Sequence, residues 1–316
     1  MHGGYLPYRT LAQNNGMGRK GMKMNSSKMI ESLSCPVGDN FSLPTSPLAF
    51  SDGSHYGIEL SSINSLKSLE TVLALTQTEG ITINRVDECR GIFRLPNTEL
   101  AEMISLCREK KIDIVLSVGP RATYDNGGFV RSKNGARTGY RLRGMDNIRF
   151  ALDEVIRGIE LGAGRFLIYD EGLLFLLNKL KQKGHLPENI FFKLSVHCGC
   201  ANPVSASLFE SIGAGSINLI PDLDLPMLSS VRQAVACPLD IFPDTSADAG
   251  GFIQTYRVPE IIRICAPVYL KCGAVSQAHQ NHLPSEQELK ERVKQLVCVT
   301  EMIQRTAPGL KQLINA

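Results

Sequence analysis

Four residues invite a catalytic reading: Glu171, His197, Asp222 and Asp244. Each lies at or just after the end of one of four successive strand-like runs. Neighbouring strands of a sheet are about 4.8 Å apart, so side chains of this length could converge on one point. Three carboxylates and an imidazole are what a Mg, Mn or Zn ion needs. Open coordination positions would polarise a substrate carbonyl or activate water. The same four residues also suit metal-free acid–base work, with His197 oriented by a neighbouring carboxylate. A third reading has them satisfied by loop amides, with no chemistry at all.

Other residues add to this set. Lys271 is a candidate electrophile, anion binder or Schiff-base nucleophile, although a nearby carboxylate, Asp240, would keep it charged. Arg85 and Arg121 are expected after the second and third strands, as fixed positive charge for a substrate carboxylate or phosphate. Gly250 and Gly251 follow the seventh strand and Gly273 the eighth, where barrels bind phosphate through backbone amides. Cys198 and Cys200 flank the turn after His197 and raise a Cys/His nucleophile as an alternative. His279 and His282 fall in a polar stretch that reads as a solvated loop.

The elements that must position these residues recur as a rhythm. Short strand-like runs at 57–61, 81–85, 113–117, 165–171, 191–197, 216–222, 239–244 and 268–271 alternate with helical periodicity. Such an alternation predicts an α/β fold, an eight-stranded (β/α) TIM-type barrel, with its chemistry at the carboxyl ends of the strands. Residues 146–161 place Ile148, Leu152, Val155, Ile156 and Ile159 on one helical face, with Glu154, Arg157 and Glu160 outward. A last helix is expected near 285–305, opened by Pro284-Ser285. The long connection 120–145 carries six Arg or Lys residues and reads either as a lid or as a surface excursion.

Strand alternation also sorts the two faces. Glu59, Ser61, Lys193, Ser195, His197, Asp240, Phe242, Asp244, Tyr269 and Lys271 are expected to point to the barrel axis. Charges there must pair or be hydrated, and Glu59–Lys193 and Asp240–Lys271 are the expected pairs.

Composition bounds the rest. The 316 residues, 43 % hydrophobic, can bury a full core. The organisation expected is a flexible or partner-covered amino-terminal arm, 1–50, ahead of a single catalytic barrel domain, 51–316. That arm is rich in Gly, Ser, Asn, Met and Pro, and up to Lys28 carries bases without acids. A net charge of +3 argues against a nucleic-acid partner, and the lack of an apolar run of about 18 residues argues against a membrane span. Nine cysteines without paired Cys-x-x-Cys motifs suggest reduced thiols in the cytoplasm and no iron–sulfur cluster. No nucleotide cofactor is expected; the partner is a small-molecule substrate, with a homo-oligomer allowed.

Several blocks carry a resemblance: Tyr140 to Asn147, Tyr169-Asp170-Glu171-Gly172, Ser195-Val196-His197 with Ala201-Asn202-Pro203, Gly250-Gly251-Phe252, and Ala266 to Lys271. Over residues 140–272 the chain resembles uncharacterised βα-barrel proteins labelled collagenase-like peptidases (U-type, family thirty-two). The resemblance implies a βα barrel and, through the label, peptide hydrolysis. The functional expectation is therefore a barrel enzyme acting on a small polar, anionic substrate by metal-assisted or acid–base chemistry, as a lyase, isomerase or hydrolase. The alternatives are a peptidase-like hydrolase and a non-catalytic barrel serving as a binding or accessory subunit.

Overall fold

The structure is a computed structural model that describes residues 25–276 and 282–314. The chain divides into two compact units, 1–37 and 38–316. In the first, the described part holds α1 (Ser26–Glu31), whose amino end is capped by the Asn25 side chain accepting from the Lys28 amide at 3.2 Å.

In the second unit strands and helices alternate: β1 (Tyr56–Leu60), α2 (Leu66–Thr78), β2 (Arg85–Glu88), α3 (Asn97–Glu109), β3 (Asp113–Ser117), α4 (Gly144–Glu160), β4 (Arg165–Ile168) and α5 (Glu171–Gln182). There follow β5 (Phe191–Leu194), α6 (Pro203–Ser211), β6 (Ser216–Asn218), α7 (Leu225–Ala234), β7 (Leu239–Ile241), α8 (Val258–Cys265), β8 (Val268–Cys272) and α9 (Glu286–Thr306). Each strand pairs in parallel with the next, and β8 pairs with β1, so the sheet closes into the expected (β/α) barrel. No helix among the described residues is long and apolar enough to cross a membrane.

Local sequence explains where the helices start. Ser65, Asp170, Asn202 and Asp224 cap α2, α5, α6 and α7 by accepting an amide hydrogen bond three residues on. Ser285 and Glu288 form a reciprocal capping box at the start of α9. The apolar core lies between the helices and the outward faces of the strands, where Ile58, Leu60, Phe166, Ile168 and Leu194 are fully buried.

Two elements differ from the sequence reading. The second strand is not 81–85 but Arg85–Glu88, a four-residue run with three charges, all buried. The stretch before it is tied by the Asn84 side chain, which accepts from the Ile58 amide and donates to the Leu313 carbonyl, both at 2.8 Å. Arg85 therefore opens its strand instead of ending it. In α4 the buried face runs through Ala151, Val155 and Gly158, leaving Ile156 40 % exposed. Arg157 turns back to donate to the carbonyls of Ile92 and Leu95 at 3.1 and 2.7 Å.

Residues 38–50 are held against the barrel in this unit. The Ser46 amide donates to the Arg263 carbonyl at 2.8 Å, and the Phe50 ring meets Tyr269 edge-on at 5.2 Å. The long connection after β3 is built from three short 3-10 turns, Ala122–Tyr124, Phe129–Arg131 and Gly135–Thr138.

Helix α4 meets the sheet through a missing side chain. A Cβ on Gly158 would lie 2.7 Å from the buried Phe166 ring. Alanine raises helix propensity by about 1 kcal/mol, but overpacking a closed core costs roughly 1–3 kcal/mol. Gly158→Ala is expected to lower the midpoint of thermal unfolding, measured by circular dichroism; an unchanged or raised midpoint would show that the ring yields freely.

Candidate active site

Inside the barrel the usual filling of branched apolar side chains is replaced by six charges: Glu59, Arg85, Asp87, Lys193, Asp240 and Lys271, each at most 3 % exposed. Lys193 donates to both oxygens of Glu59 at 2.5 Å and reaches Asp87 Oδ2 at 3.2 Å. Lys271 donates to the same Asp87 oxygen at 2.5 Å and lies 3.4 Å from Glu59 Oε1. Arg85 joins Glu59 to Asp240 through Nε and Nη2, and Ser216 donates to the other Asp240 oxygen at 2.7 Å. The Tyr269 ring lies 3.5 Å from the Arg85 guanidinium carbon, and the Phe242 ring 5.4 Å from Lys271 Nζ.

Burial strips these groups of water, a penalty that only mutual pairing offsets. The outcome differs between the two central carboxyls. Burial alone would raise Glu59, but Arg85, Lys193 and Lys271 together outweigh it and hold the group well below the ordinary carboxylate range. For Asp87, burial and then the neighbouring Glu59 charge win over the two lysines, raising it to about 6. A hydrogen bond between the two carboxyls favours the proton on Asp87. Two acids side by side are thus pushed apart, the pattern that separates a proton carrier from a fixed charge. Lys271 is held well above its ordinary value: burial works against its charge, but Asp87 and Glu59 prevail.

Above this network the interior is polar and incompletely satisfied. Ser61 Oγ, Asp87 Oδ1 and both amide atoms of Asn218 are buried with no hydrogen-bond partner. Register places Ser61 level with Asp87, since the preceding residue Leu60 pairs with Val86. Buried polar atoms left open in this way await water or a ligand. A ring stack lies at the carboxyl ends of β4 and β5. Tyr140, from the long connection, lies 3.5 Å from the His197 ring and 5.0 Å from Tyr169. Arg121 is buried beneath, donating to the Cys89 carbonyl at 2.7 Å, Tyr169 Oη at 3.0 Å and Ser117 Oγ at 3.1 Å.

The four residues expected to converge are used separately. Glu171 starts α5, is half-buried and pairs with Arg141. His197 sits in the 3-10 turn after β5, against Tyr140. Asp222 is exposed on the loop after β6. Asp244 accepts the Gly273 and Val275 amides at 2.9 and 2.8 Å, tying the end of β7 to the turn after β8. Among the described residues no three His, Cys, Asp or Glu side chains form a group that could hold a metal ion.

The other expectations divide. Glu59 and Lys193 pair as expected, and Lys271 points inward. Asp240 does not pair with Lys271: it is level with Tyr269, whereas Lys271 stands two residues further along, level with Glu59. Lys271 is kept charged by Asp87 and Glu59, which is unfavourable for attack on a carbonyl. Arg85 lies in the network instead of at a strand tip, and Arg121 is enclosed by protein groups. The amides of Gly250 and Gly251 donate within their own turn, to Ala247 and Ser246, so they do not cradle an anion. Burial pushes the Cys198 and Cys200 thiols up to about 12, which removes them as nucleophiles. His282 lies 3.2 Å from Glu288, and His279 is outside the described residues.

Asp87, Asn218, Tyr140 and Tyr169 are the site residues that the sequence reading missed. A signal existed for Asp87, because two inward lysines and an arginine need a third carboxylate beside Glu59 and Asp240.

No family model and no curated protein matches the chain. Among solved structures it is similar to the U32 peptidase Mk0906, at 16 % identity over 62 % of this chain and 72 % of that one, with a TM-score of 0.41. It is similar to the YdjI aldolase from Escherichia coli, at 16 % identity over 80 % and 92 %, with a TM-score of 0.47. A third is the homocysteine methyltransferase MmuM from Escherichia coli, at 11 % identity over 77 % and 97 %, with a TM-score of 0.47. The group that the sequence blocks resemble thus recurs among the structural likenesses. At these scores none of them carries an argument about activity.

The raised Asp87 carboxyl has a consequence for stability. The folded chain holds this proton more tightly than the unfolded chain, whose aspartates titrate at about 4. Stability from this group is full at low pH and is lost as pH rises through about 6. Asp87→Asn, which does not titrate, should therefore gain stability relative to wild type between about pH 4 and pH 7. Urea unfolding at both pH values measures the difference, and a difference that is flat with pH would contradict the raised value.

Proposed function

We propose that this chain is a barrel enzyme that moves a proton on a small, polar, anionic substrate, as a lyase or isomerase, by general acid–base chemistry inside the carboxyl-terminal mouth. The observation that carries this reading is Asp87: one oxygen is gripped by Lys193 and Lys271, the other is buried and open. A carboxyl raised to about 6 is poised to take a proton at neutral pH and return it.

The charges fit the substrate class. Arg85, Lys193 and Lys271 face Glu59, Asp240 and Asp87, so the set is balanced only while Asp87 is ionised. Once Asp87 takes the proton, a positive charge is left over beside it. Negative charge developing on the substrate, as on an enolate oxygen, is then stabilised by the Lys271 or Lys193 ammonium in a dry site. Ser61 and Asn218 supply the open donors and acceptors that orient the molecule. Tyr140 and the connection that carries it act as the cover in this reading. The Tyr140 ring stacks on His197 and Tyr169 at the carboxyl ends of β5 and β4, and Asp87 is fully buried, so a substrate reaches it only if some cover moves.

Peptide hydrolysis is less favoured: the interior is enclosed under the Tyr140 stack, and the Cys198 and Cys200 thiols are suppressed. All nine cysteines are free, which supports a reducing compartment such as the cytoplasm.

Incubating the protein in heavy water with a panel of small oxoacids and hydroxy acids, followed by proton NMR, tests the reading. Wild type is expected to exchange or eliminate a proton next to a carbonyl, and Asp87→Asn to lose about 10²–10⁴-fold of that rate while keeping its circular dichroism. Exchange that survives in Asp87→Asn would refute the assignment. So would cleavage of model peptides by wild type with no exchange on any acid.

A further inference from the structure

At the opposite, amino-terminal end of the barrel there is a second cleft, of about 570 Å³, within the range of small-molecule sites. Its charged lining is Asp52, Arg108, Lys111, Asp113 and Arg165, with Ser51, Asn84 and Tyr269 as neutral polar groups. The turn between α4 and β4 keeps it open, because Gly162, Ala163 and Gly164 put almost no side chain into it. Gly162 has a φ of +93°, and a Cβ there would lie 2.8 Å from Arg108 Nη2.

The charges in this cleft are unevenly satisfied. Asp113 is paired with Arg165 at 2.7 Å. Asp52 accepts the Ser54 hydroxyl at 2.6 Å, the Ser54 amide at 2.9 Å and the Ile314 amide at 3.1 Å, and these bonds hold it below its ordinary value. Both acids are therefore occupied within the chain. The Arg108 side chain makes one long bond, to the Gly162 carbonyl at 3.3 Å. The Lys111 ammonium makes no ion pair or hydrogen bond among the described residues; only its main-chain amide is used, donating to the Arg108 carbonyl at 3.1 Å. Tyr269, whose ring covers Arg85, makes no hydrogen bond through its hydroxyl among the described residues. Two cations and a neutral donor thus face a cavity whose acids are already used.

We propose that this cleft is a binding site for a small phosphorylated metabolite, separate from the mouth. Its phosphate is held by Arg108 and Lys111 with the Arg165 edge, and its body lies against Ile104, Ile112 and Leu313. Nothing in this assignment depends on the chemistry proposed for Asp87.

Titration calorimetry on the full chain with inorganic phosphate, glucose 6-phosphate and citrate tests it. Saturable binding of a phosphate probe is expected, weakened about tenfold or more by Arg108→Gln with Lys111→Gln. The Asp87→Asn protein should bind it as wild type does. Absence of saturable binding by every probe overturns the proposal, as does affinity that is unchanged in the double variant or lost in Asp87→Asn. Binding of citrate with rejection of both phosphate probes overturns the phosphate assignment.

Discussion

The structure depends on keeping six charged side chains inside a closed barrel. An isolated ion in such an interior is worth several kcal/mol of destabilisation, and only mutual pairing offsets it. Glu59 is the hub: it meets Arg85 on one side and both lysines on the other. Everything else in the centre follows from that carboxylate staying ionised. With Glu59 held as the anion and Lys271 held as a cation, Asp87 is the carboxyl that burial and the Glu59 charge push up to about 6.

The fold supplies the geometry by simple means. Parallel strands bring alternate residues to the axis, so Glu59 on β1, Arg85 and Asp87 on β2, Lys193 on β5, Asp240 on β7 and Lys271 on β8 reach one another across the barrel. The helices cover the apolar outer face and hold the strands in register, and α9 adds the buried Arg292, which donates to the Ser61 carbonyl. The network therefore separates two ends of different character. One carries the ring stack of Tyr140, Tyr169 and His197; the other is the basic cleft, lined by Tyr269, whose ring lies over Arg85.

Much of this architecture is legible in the sequence, because period-two and period-3.6 patterns respond to burial, and burial dominates the fold. The inward placing of Glu59, Lys193, Asp240 and Lys271 follows from apolar neighbours such as Ile58, Leu194, Ile241 and Leu270 facing the helices. What fails is β2. Arg-Val-Asp-Glu offers a single apolar residue, Val86, among three charges although all four are buried, so no alternation marks it as a strand and the sequence pattern points to 81–85 instead, passing over Asp87. The expected site fails for a related reason. Residues at strand tips look alike in sequence whether they meet substrate or end in a cap, a surface pair or a loop clamp, as Glu171 and Asp244 do.

Carbon-13 NMR titration of the aspartate carboxyls, with Asp87→Asn used to assign the resonance, measures the central claim most directly. The account predicts one aspartate carboxyl titrating near 6 that vanishes in the variant. An Asp87 resonance that titrates near the ordinary value of about 4 would contradict it.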